Sequence, residues 1–210
     1  MRAITCLCVG EPAQQALALT RELGGLGFDA RLAWGSPGAS DPGEGIDERT
    51  PPAGMPATHL PWLIPGRGPV ADLQAFRSLA GLMRRWRPQV VHTHLAKAGA
   101  LGRVAARHAG VPVVVHTFHG HTIDGGSSPL KAMARVEAER RLAARTDALI
   151  APSPAVRDQL LAMGIGREDR WHVMPEDGLA GSLARLYEDL LARSRSTSGF
   201  PMPRAPVAAG

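Results

Sequence analysis

Short apolar runs alternate with amphipathic helical segments along this chain of 210 residues, and this alternation constrains its fold more than any other feature. A strand, a helix and another strand in succession form the βαβ unit of a parallel sheet. The runs that predict strands are 3–9, 28–34, 89–93, 111–117, 148–151 and 171–174. The segments that predict helices are 13–23, 70–87, 97–108, 129–145, 154–163 and 183–193. The sequence therefore predicts an α/β fold with a doubly wound, mostly parallel, Rossmann-like sheet.

One stretch departs from this alternation. Glycine and proline occupy 15 of the 35 positions in 35–69, which predicts a long loop interrupted by a short apolar stretch at 59–64. No segment has the roughly 20 apolar residues of a membrane span, and no signal peptide is recognisable. The two cysteines, Cys6 and Cys8, are interpreted as reduced core residues of a cytoplasmic protein.

The chain carries a formal charge of +5, and nearly all of its cations are arginines. Arginine matches the geometry of phosphate groups, so phosphate-bearing partners are one interpretation, and an ordinary solvated surface is the other. The helix predicted at 70–87 has the same two interpretations. Its arginines either face water or rest on anionic lipid, which would bring the protein to the inner face of a membrane.

Two histidine-bearing segments follow predicted strands, at 91–99 and 115–121. Ligands of doubly wound sheets bind beyond the carboxyl ends of the strands, where helix amino termini also offer backbone N–H groups to anions. We therefore expect His94, His119 and His121 to lie past strand ends and to be functional. His92 and His116 lie inside apolar runs and are interpreted as core residues with satisfied hydrogen bonds. His108, near a helix end, is interpreted as a surface residue.

The pattern His92-Thr93-His94 also occurs in metal-dependent hydrolases. Such a hydrolase needs a TIM barrel of around 250 residues, and nearby carboxylates to complete the metal site are scarce, Asp124 being the exception. A metal-dependent hydrolase is therefore the weaker alternative, and no metal ligands are predicted.

The ordered series HTH, KAG, TFHGH and TD, followed by the closing segment WHVMPEDGL, resembles the N-terminal, acceptor-side half of family 4 glycosyltransferases of the GT-B type. The resemblance runs from about residue 87 to 179 and is greatest to the bacterial capsule and exopolysaccharide branch. It implies transfer of a sugar from a nucleotide-sugar to a glycan or lipid-linked acceptor. It implies no cofactor beyond that co-substrate and no nucleic-acid partner.

The resemblance also implies roles for single residues. His119 matches the family histidine that lies near the transferred sugar, and we expect it to be catalytic. His94, Lys97 and His121 are expected to bind substrate, with His94 and Lys97 orienting acceptor or phosphate groups. Gly10 matches the turn that approaches the donor diphosphate. The family's usual second glycine is replaced by Glu11, whose carboxylate would repel a diphosphate.

A complete member of the family would continue with a donor-binding domain after the closing segment. Here the expected organisation is a single domain at 1–179, a helix at 180–193 that packs back on it, and a disordered tail at 194–210. A separate donor-domain protein is therefore an expected partner. The alternative is a catalytically inactive remnant or a protein-interaction module.

Overall fold

The strands pair into one sheet in which every neighbouring pair is parallel. The computed structural model describes residues 1–7, 10–38, 50–120, 128–174 and 178–198. Within these residues the strands are β1 (Arg2–Ile4), β2 (Leu32–Trp34), β3 (Ala57–His59), β4 (Val90–His94), β5 (Val113–Thr117), β6 (Ala148–Ala151) and β7 (Trp171–Val173). The helices are α1 (Glu11–Gly25), α2 (Pro69–Trp86), α3 (Ala96–His108), α4 (Pro129–Ala143), α5 (Pro154–Ala162) and α6 (Leu179–Ser198), with a 3₁₀ turn at Glu168–Arg170.

The order of the strands across the sheet is β3-β2-β1-β4-β5-β6-β7. The chain builds outward from β1 to β3 and then returns to place β4 on the other side of β1. The order therefore reverses between β1 and β4, and the carboxyl ends of these strands flank the crevice where doubly wound sheets bind ligands. The predicted α/β, Rossmann-like fold is confirmed.

An edge strand lies inside the stretch that was predicted to be a loop. Ala57 to His59 pair with β2, and the following Leu60 and Leu63 are buried in the core. Three residues are too few to show a strand period among so many prolines and glycines, so pairing with β2 defines this strand. Residues 39–49 of the same stretch lie outside the described residues.

Cys6 is buried, as expected, but it is disulfide-bonded, so the expectation of a reduced thiol is wrong for this residue, whereas Cys8 lies outside the described residues. The expectation assumed a strand over 3–9, but β1 ends at Ile4 and Cys6 lies in the segment that follows it. The alternation of side chains along a strand therefore does not apply at this position.

Helix α6 runs to Ser198, five residues beyond the predicted end of the helix at residue 193. The predicted disordered tail is thus wrong for 194–198, which contain no glycine or proline to stop a helix, whereas 199–210 lie outside the described residues. One face of α6 packs on β5, β6 and α1, with Leu183 and Tyr187 buried against Val115, Ile150 and Leu23. Helix α6 is therefore part of the core.

Helices α2 and α3 cover the opposite face of the sheet, and two glycines let α3 approach it closely. A Cβ atom added to Gly99 would lie 2.6 Å from Cε1 of His116, and one added to Gly102 would lie 2.7 Å from Cγ2 of Thr93. Because His116 and Thr93 are buried, neither side chain has space to retreat. The absence of a side chain at these glycines sets the distance between helix and sheet.

Two glycine-to-alanine substitutions in helices should therefore change stability in opposite directions. Gly81 in α2 is exposed and has open space around it, so G81A should stabilise the protein by about 0.5–1 kcal/mol through helix propensity. G99A overpacks the core and should destabilise it by about 1–3 kcal/mol. Urea denaturation of the two variants measures both effects. Equal shifts in the two midpoints would contradict the close approach of α3.

Candidate functional site

The ends of β4 and β5 bring two of the predicted site histidines together. Nδ1 of His94 and Nε2 of His119 are 3.0 Å apart, within hydrogen-bond distance. His119 follows β5 and is partly buried, whereas His94 is the last residue of β4 and is 0% exposed. The expectation that His94 lies past its strand is therefore wrong, because the β4–β5 pairing extends one residue further than predicted. A wholly buried imidazole can reach a ligand only through a neighbouring side chain, and the neighbour of His94 that lies toward the cleft is His119.

His119 lines a small cleft at the carboxyl edge of the sheet. The cleft is bounded by the start of α1, the segments that follow β5 and β6, and the first turns of α6. Its lining residues include Glu11, Gln15, Thr117, Phe118, His119, Pro152, Leu179 and Leu183. The start of α1 and the His94–His119 pair are thus parts of one site.

His92 lies beneath this pair in a buried polar cluster. Its Nδ1 is 2.5 Å from the hydroxyl of Tyr187 on α6, and its Nε2 is 2.7 Å from Oγ1 of Thr117. The ring of His92 also stacks on that of His94 at a centroid distance of 4.3 Å. The prediction that His92 is a satisfied core residue is confirmed.

His116 belongs to the other face of the sheet. Its Nδ1 is 2.9 Å from Oγ1 of Thr93, its ring packs beneath Gly99, and it is 2% exposed. The prediction of a core role is confirmed for this histidine as well. His108 is exposed, as predicted, and contacts the guanidinium of Arg84 at 2.7 Å.

Arg2 joins the two histidines of β4 and was missed at the sequence level. Its Nη1 lies 3.3 Å from Nδ1 of His92 and 3.1 Å from Nε2 of His94, and the residue is only 3% exposed. Its Nη2 donates to the hydroxyl of Tyr187 at 3.3 Å. Tyr187 and Thr117 were missed too. The pairing of Arg2 with His92 across β1 and β4 places them on one face, and this register is not visible in a single sequence.

Lys97 is held by α2 and by the segment that precedes it. Its Nζ is 2.5 Å from a carboxylate oxygen of Asp72 and donates to the carbonyl of Arg67 at 3.2 Å. The side chain of Lys97 is 14% exposed. A phosphate bound by Lys97 would have to compete with the carboxylate of Asp72, so its predicted role in substrate binding stays a prediction.

Gly10 is the N-cap of α1, with φ of 140°, a conformation that favours glycine, and it contributes no side-chain cap to the helix. Glu11 is in the first turn of the same helix. A ligand phosphate at this helix end would meet backbone N–H groups on one side and the Glu11 carboxylate on the other. His121 lies outside the described residues, and its predicted role stays a prediction.

Burial governs the protonation of the histidines at this site. Burial, and then the neighbouring charges, keep the pKa values of His92, His94 and His116 well below their ordinary value. Burial also lowers the pKa of His119 to about 4 and raises the pKa of Tyr187. At neutral pH the cluster thus consists of neutral imidazoles, a neutral phenol and one guanidinium.

Within the described part of the chain, no three or more His, Cys, Asp or Glu side chains are grouped so that they could hold a metal ion. Nor is any helix among these residues long and apolar enough to span a membrane. The metal-dependent hydrolase gains no support from the described residues.

The reversal of strand order and the helix α6 that packs back on the sheet define a Rossmann-like domain similar to the domains of GT-B glycosyltransferases. The sequence model of the glycosyl transferase 4-like domain family matches residues 10–177. This match covers most of the chain, and the chain belongs to that family.

Comparisons with known proteins agree with this assignment. A UDP-Gal:alpha-D-GlcNAc-diphosphoundecaprenol alpha-1,3-galactosyltransferase from Escherichia coli is 43% identical over 68 residues, which is 32% of this chain and 18% of that enzyme. A glycosyltransferase from Rickettsia africae has a similar fold, with a TM-score of 0.60, 14% identity, and coverage of 90% of this chain and 48% of its own. A chain of sucrose-phosphate synthase from Thermosynechococcus elongatus has a TM-score of 0.58 and 15% identity, with 90% of this chain and 98% of that one covered.

Lowering the pH should destabilise the folded protein through this cluster. The unfolded chain takes up protons near the ordinary histidine pKa of about 6.5, whereas folded His119 resists protonation down to about 4. Because the unfolded state binds more protons in this window, stability falls as the pH falls through it, by about 1.4 kcal/mol per pH unit for each such imidazole.

Urea denaturation between about pH 7 and pH 4.5 measures this slope. We expect His119→Gln to have a shallower slope than the wild type, and His108→Gln, which changes an exposed imidazole outside the cluster, to keep the wild-type slope. An unchanged slope in His119→Gln would contradict the depressed pKa.

Proposed function

We propose that this chain is the acceptor-side half of a glycosyltransferase that moves a sugar from a nucleotide-sugar to a glycan or lipid-linked acceptor. The observation that carries this proposal is the His94–His119 pair, at 3.0 Å, beside the amino terminus of α1 at the switch point of a glycosyl transferase 4-like domain. A helix amino terminus suits a phosphate, and a fixed imidazole suits the sugar attached to it.

The E. coli relative suggests which substrates to try first. Its name gives UDP-galactose as donor and an N-acetylglucosamine linked through a diphosphate to undecaprenol as acceptor. Its match to this chain covers 18% of the relative, so the proposal names the class of donor and acceptor and takes these two compounds as the first to test. A membrane-embedded acceptor would agree with the predicted cytoplasmic location at the inner face of a membrane.

A second domain is the proposed partner. The chain spans about half the length of the R. africae glycosyltransferase, at 48% coverage. Leu130 and Met133 on the first turns of α4, which follows β5 at the carboxyl edge, are 76% and 69% exposed. Exposed apolar side chains at this edge favour a protein surface over them, and a donor-binding domain would bury them.

The residues of this domain would act by positioning and electrostatics, with no cofactor. His119 would contact the transferred sugar and polarise the reacting centre, and His94 would hold the ring of His119. Lys97 and His121 would orient acceptor or phosphate groups, and the turn at Gly10 would approach the donor diphosphate.

The second candidate is a binding module without activity of its own, and the Glu11 carboxylate favours it. A negative charge in the first turn of α1 opposes a diphosphate at the position where the proposed function needs one. The same exposed apolar residues on α4 would then serve protein association.

Transfer activity separates the two candidates. UDP-galactose binding to the purified chain is measured by calorimetry, and sugar release or transfer is measured with and without an added donor domain. We expect His119→Ala to lower turnover roughly 100-fold, the usual effect of removing one fixed donor at a reacting centre. His108→Ala is the matched control and should keep wild-type turnover. No binding and no turnover in any combination would leave the binding module.

Removing the carboxylate of Glu11 should strengthen donor binding. A charge in the first helical turn is worth about 0.3–1 kcal/mol, so Glu11→Gln should tighten UDP-galactose binding about two- to fivefold. Glu22→Gln makes the same change near the far end of α1 and should leave affinity unchanged. Weaker binding in Glu11→Gln would mean that this carboxylate contacts the ligand favourably.

A further inference from the structure

The guanidinium of Arg2 is a buried group that can only donate hydrogen bonds. Its nearest polar partners in the described part of the chain are the imidazoles of His92 and His94 and the hydroxyl of Tyr187, and its Nε has no hydrogen-bond partner there. An imidazole nitrogen next to such a donor must present a lone pair. The position of Arg2 therefore determines which nitrogen of each neighbouring ring carries the proton.

Arg2 determines the protonated nitrogen of His94, and His94 in turn determines that of His119. Nη1 of Arg2 donates to Nε2 of His94 at 3.1 Å, so Nε2 is unprotonated and the proton of this neutral ring is on Nδ1. That Nδ1 lies 3.0 Å from Nε2 of His119 and donates to it. Nε2 of His119 is then the acceptor, and the proton of His119 is on its Nδ1.

A second branch of hydrogen bonds joins Arg2 to Tyr187 and His92. The Tyr187 hydroxyl accepts from Nη2 of Arg2 at 3.3 Å and donates to Nδ1 of His92 at 2.5 Å. Nε2 of His92 then donates to Oγ1 of Thr117 at 2.7 Å. Every hydrogen bond of this branch runs in a direction consistent with Arg2 as donor, so the two branches support the same set of tautomers.

We propose that Arg2 is a positioning residue that fixes the tautomers of His94 and His119, so that His119 acts at the cleft as a neutral hydrogen-bond donor through Nδ1. With Nε2 engaged by His94, His119 is suited to stabilising an oxygen that gains negative charge and not to removing a proton. Only the identity of that oxygen rests on the proposed function. The tautomers belong to the folded chain without a ligand.

Nitrogen NMR tests the proposal without any substrate. Histidine labelled with ¹⁵N in the full chain gives long-range ¹H–¹⁵N correlations that distinguish protonated from unprotonated ring nitrogens at neutral pH. His119→Gln and His94→Gln assign the signals. We expect Nδ1 to be the protonated nitrogen in both His94 and His119, and Nε2 in His92. A wild-type His119 protonated at Nε2 would overturn the proposal.

Substitution of Arg2 tests the cause. In Arg2→Met we expect the proton of His119 to shift from Nδ1 toward Nε2, the nitrogen that a free imidazole prefers to protonate. Arg2→Lys keeps a group that can only donate hydrogen bonds, so in this variant His94 and His119 should be protonated on the same nitrogens as in the wild type. If a folded Arg2→Met variant keeps the wild-type tautomers of His94 and His119, other groups determine them and the proposed role of Arg2 is overturned.

A third variant distinguishes tautomer control from a general loosening of the core. Tyr187→Phe removes the hydroxyl but leaves the Arg2–His94 contact, so His94 and His119 should keep their wild-type pattern. Circular dichroism establishes that each variant is folded. If Arg2→Met does not fold, the wild-type spectrum and the Lys variant decide the question. Loss of the Nδ1–H form of His119 in Tyr187→Phe would contradict the proposed chain of donation.

Discussion

The pairing of β1 with β4 is the constraint on which the site depends. These strands meet where the strand order reverses, and their register places Arg2 opposite His92 and Ile4 opposite His94. A register shifted by one residue would turn both histidines to the other face of the sheet and leave Arg2 without acceptors. An unpaired buried guanidinium is costly, so the polar cluster and the strand register stabilise one another.

The two faces of the sheet use their histidines differently. On the face of α2 and α3, His116 fills space beneath Gly99 and has a threonine as its polar partner. On the face of α1 and α6, His92 and His94 share a guanidinium and connect it to the cleft through His119. The partner of His116 provides a hydrogen bond to one buried ring. On the other face, the donor-only Arg2 determines the direction of the hydrogen bond from His94 to His119, which packing alone would not require.

Much of this fold follows from the sequence because its strands and helices have distinct periods and clear end signals. Pro154 after Ser153 begins α5 where expected, with the Ser153 hydroxyl accepting from the backbone of Val156. Sequence periodicity could not locate β3, because three residues are too short to show an alternating pattern. Only the hydrogen bonds to β2 identify this segment as a strand. Periodicity also placed the end of α6 too early, because the residues of its last turn carry no apolar period and in sequence resemble a tail.

The site was only partly visible for a related reason. His119 stands out because it follows a strong strand and precedes glycine, a local pattern. Arg2, Thr117 and Tyr187 come from β1, β5 and α6, and only tertiary contacts bring them to His92. Strand ends can be read from periodicity, so the location of a site can be predicted. The partners that orient its side chains depend on register and on a helix that returns from far along the chain.

Helix α6 connects the architecture of the domain to the proposed chemistry. Its first two turns line the cleft through Leu179 and Leu183, and one turn further on Tyr187 accepts a hydrogen bond from Arg2 beneath the histidines. One helix thus shapes the wall of the cleft and contacts the group that directs the hydrogen bonds of His119. If a donor domain joins this one, its contacts with the start of α6 would bear on both features at once. This domain would then supply a histidine whose hydrogen-bond donor is fixed at the reacting centre, and the partner would supply affinity for the nucleotide.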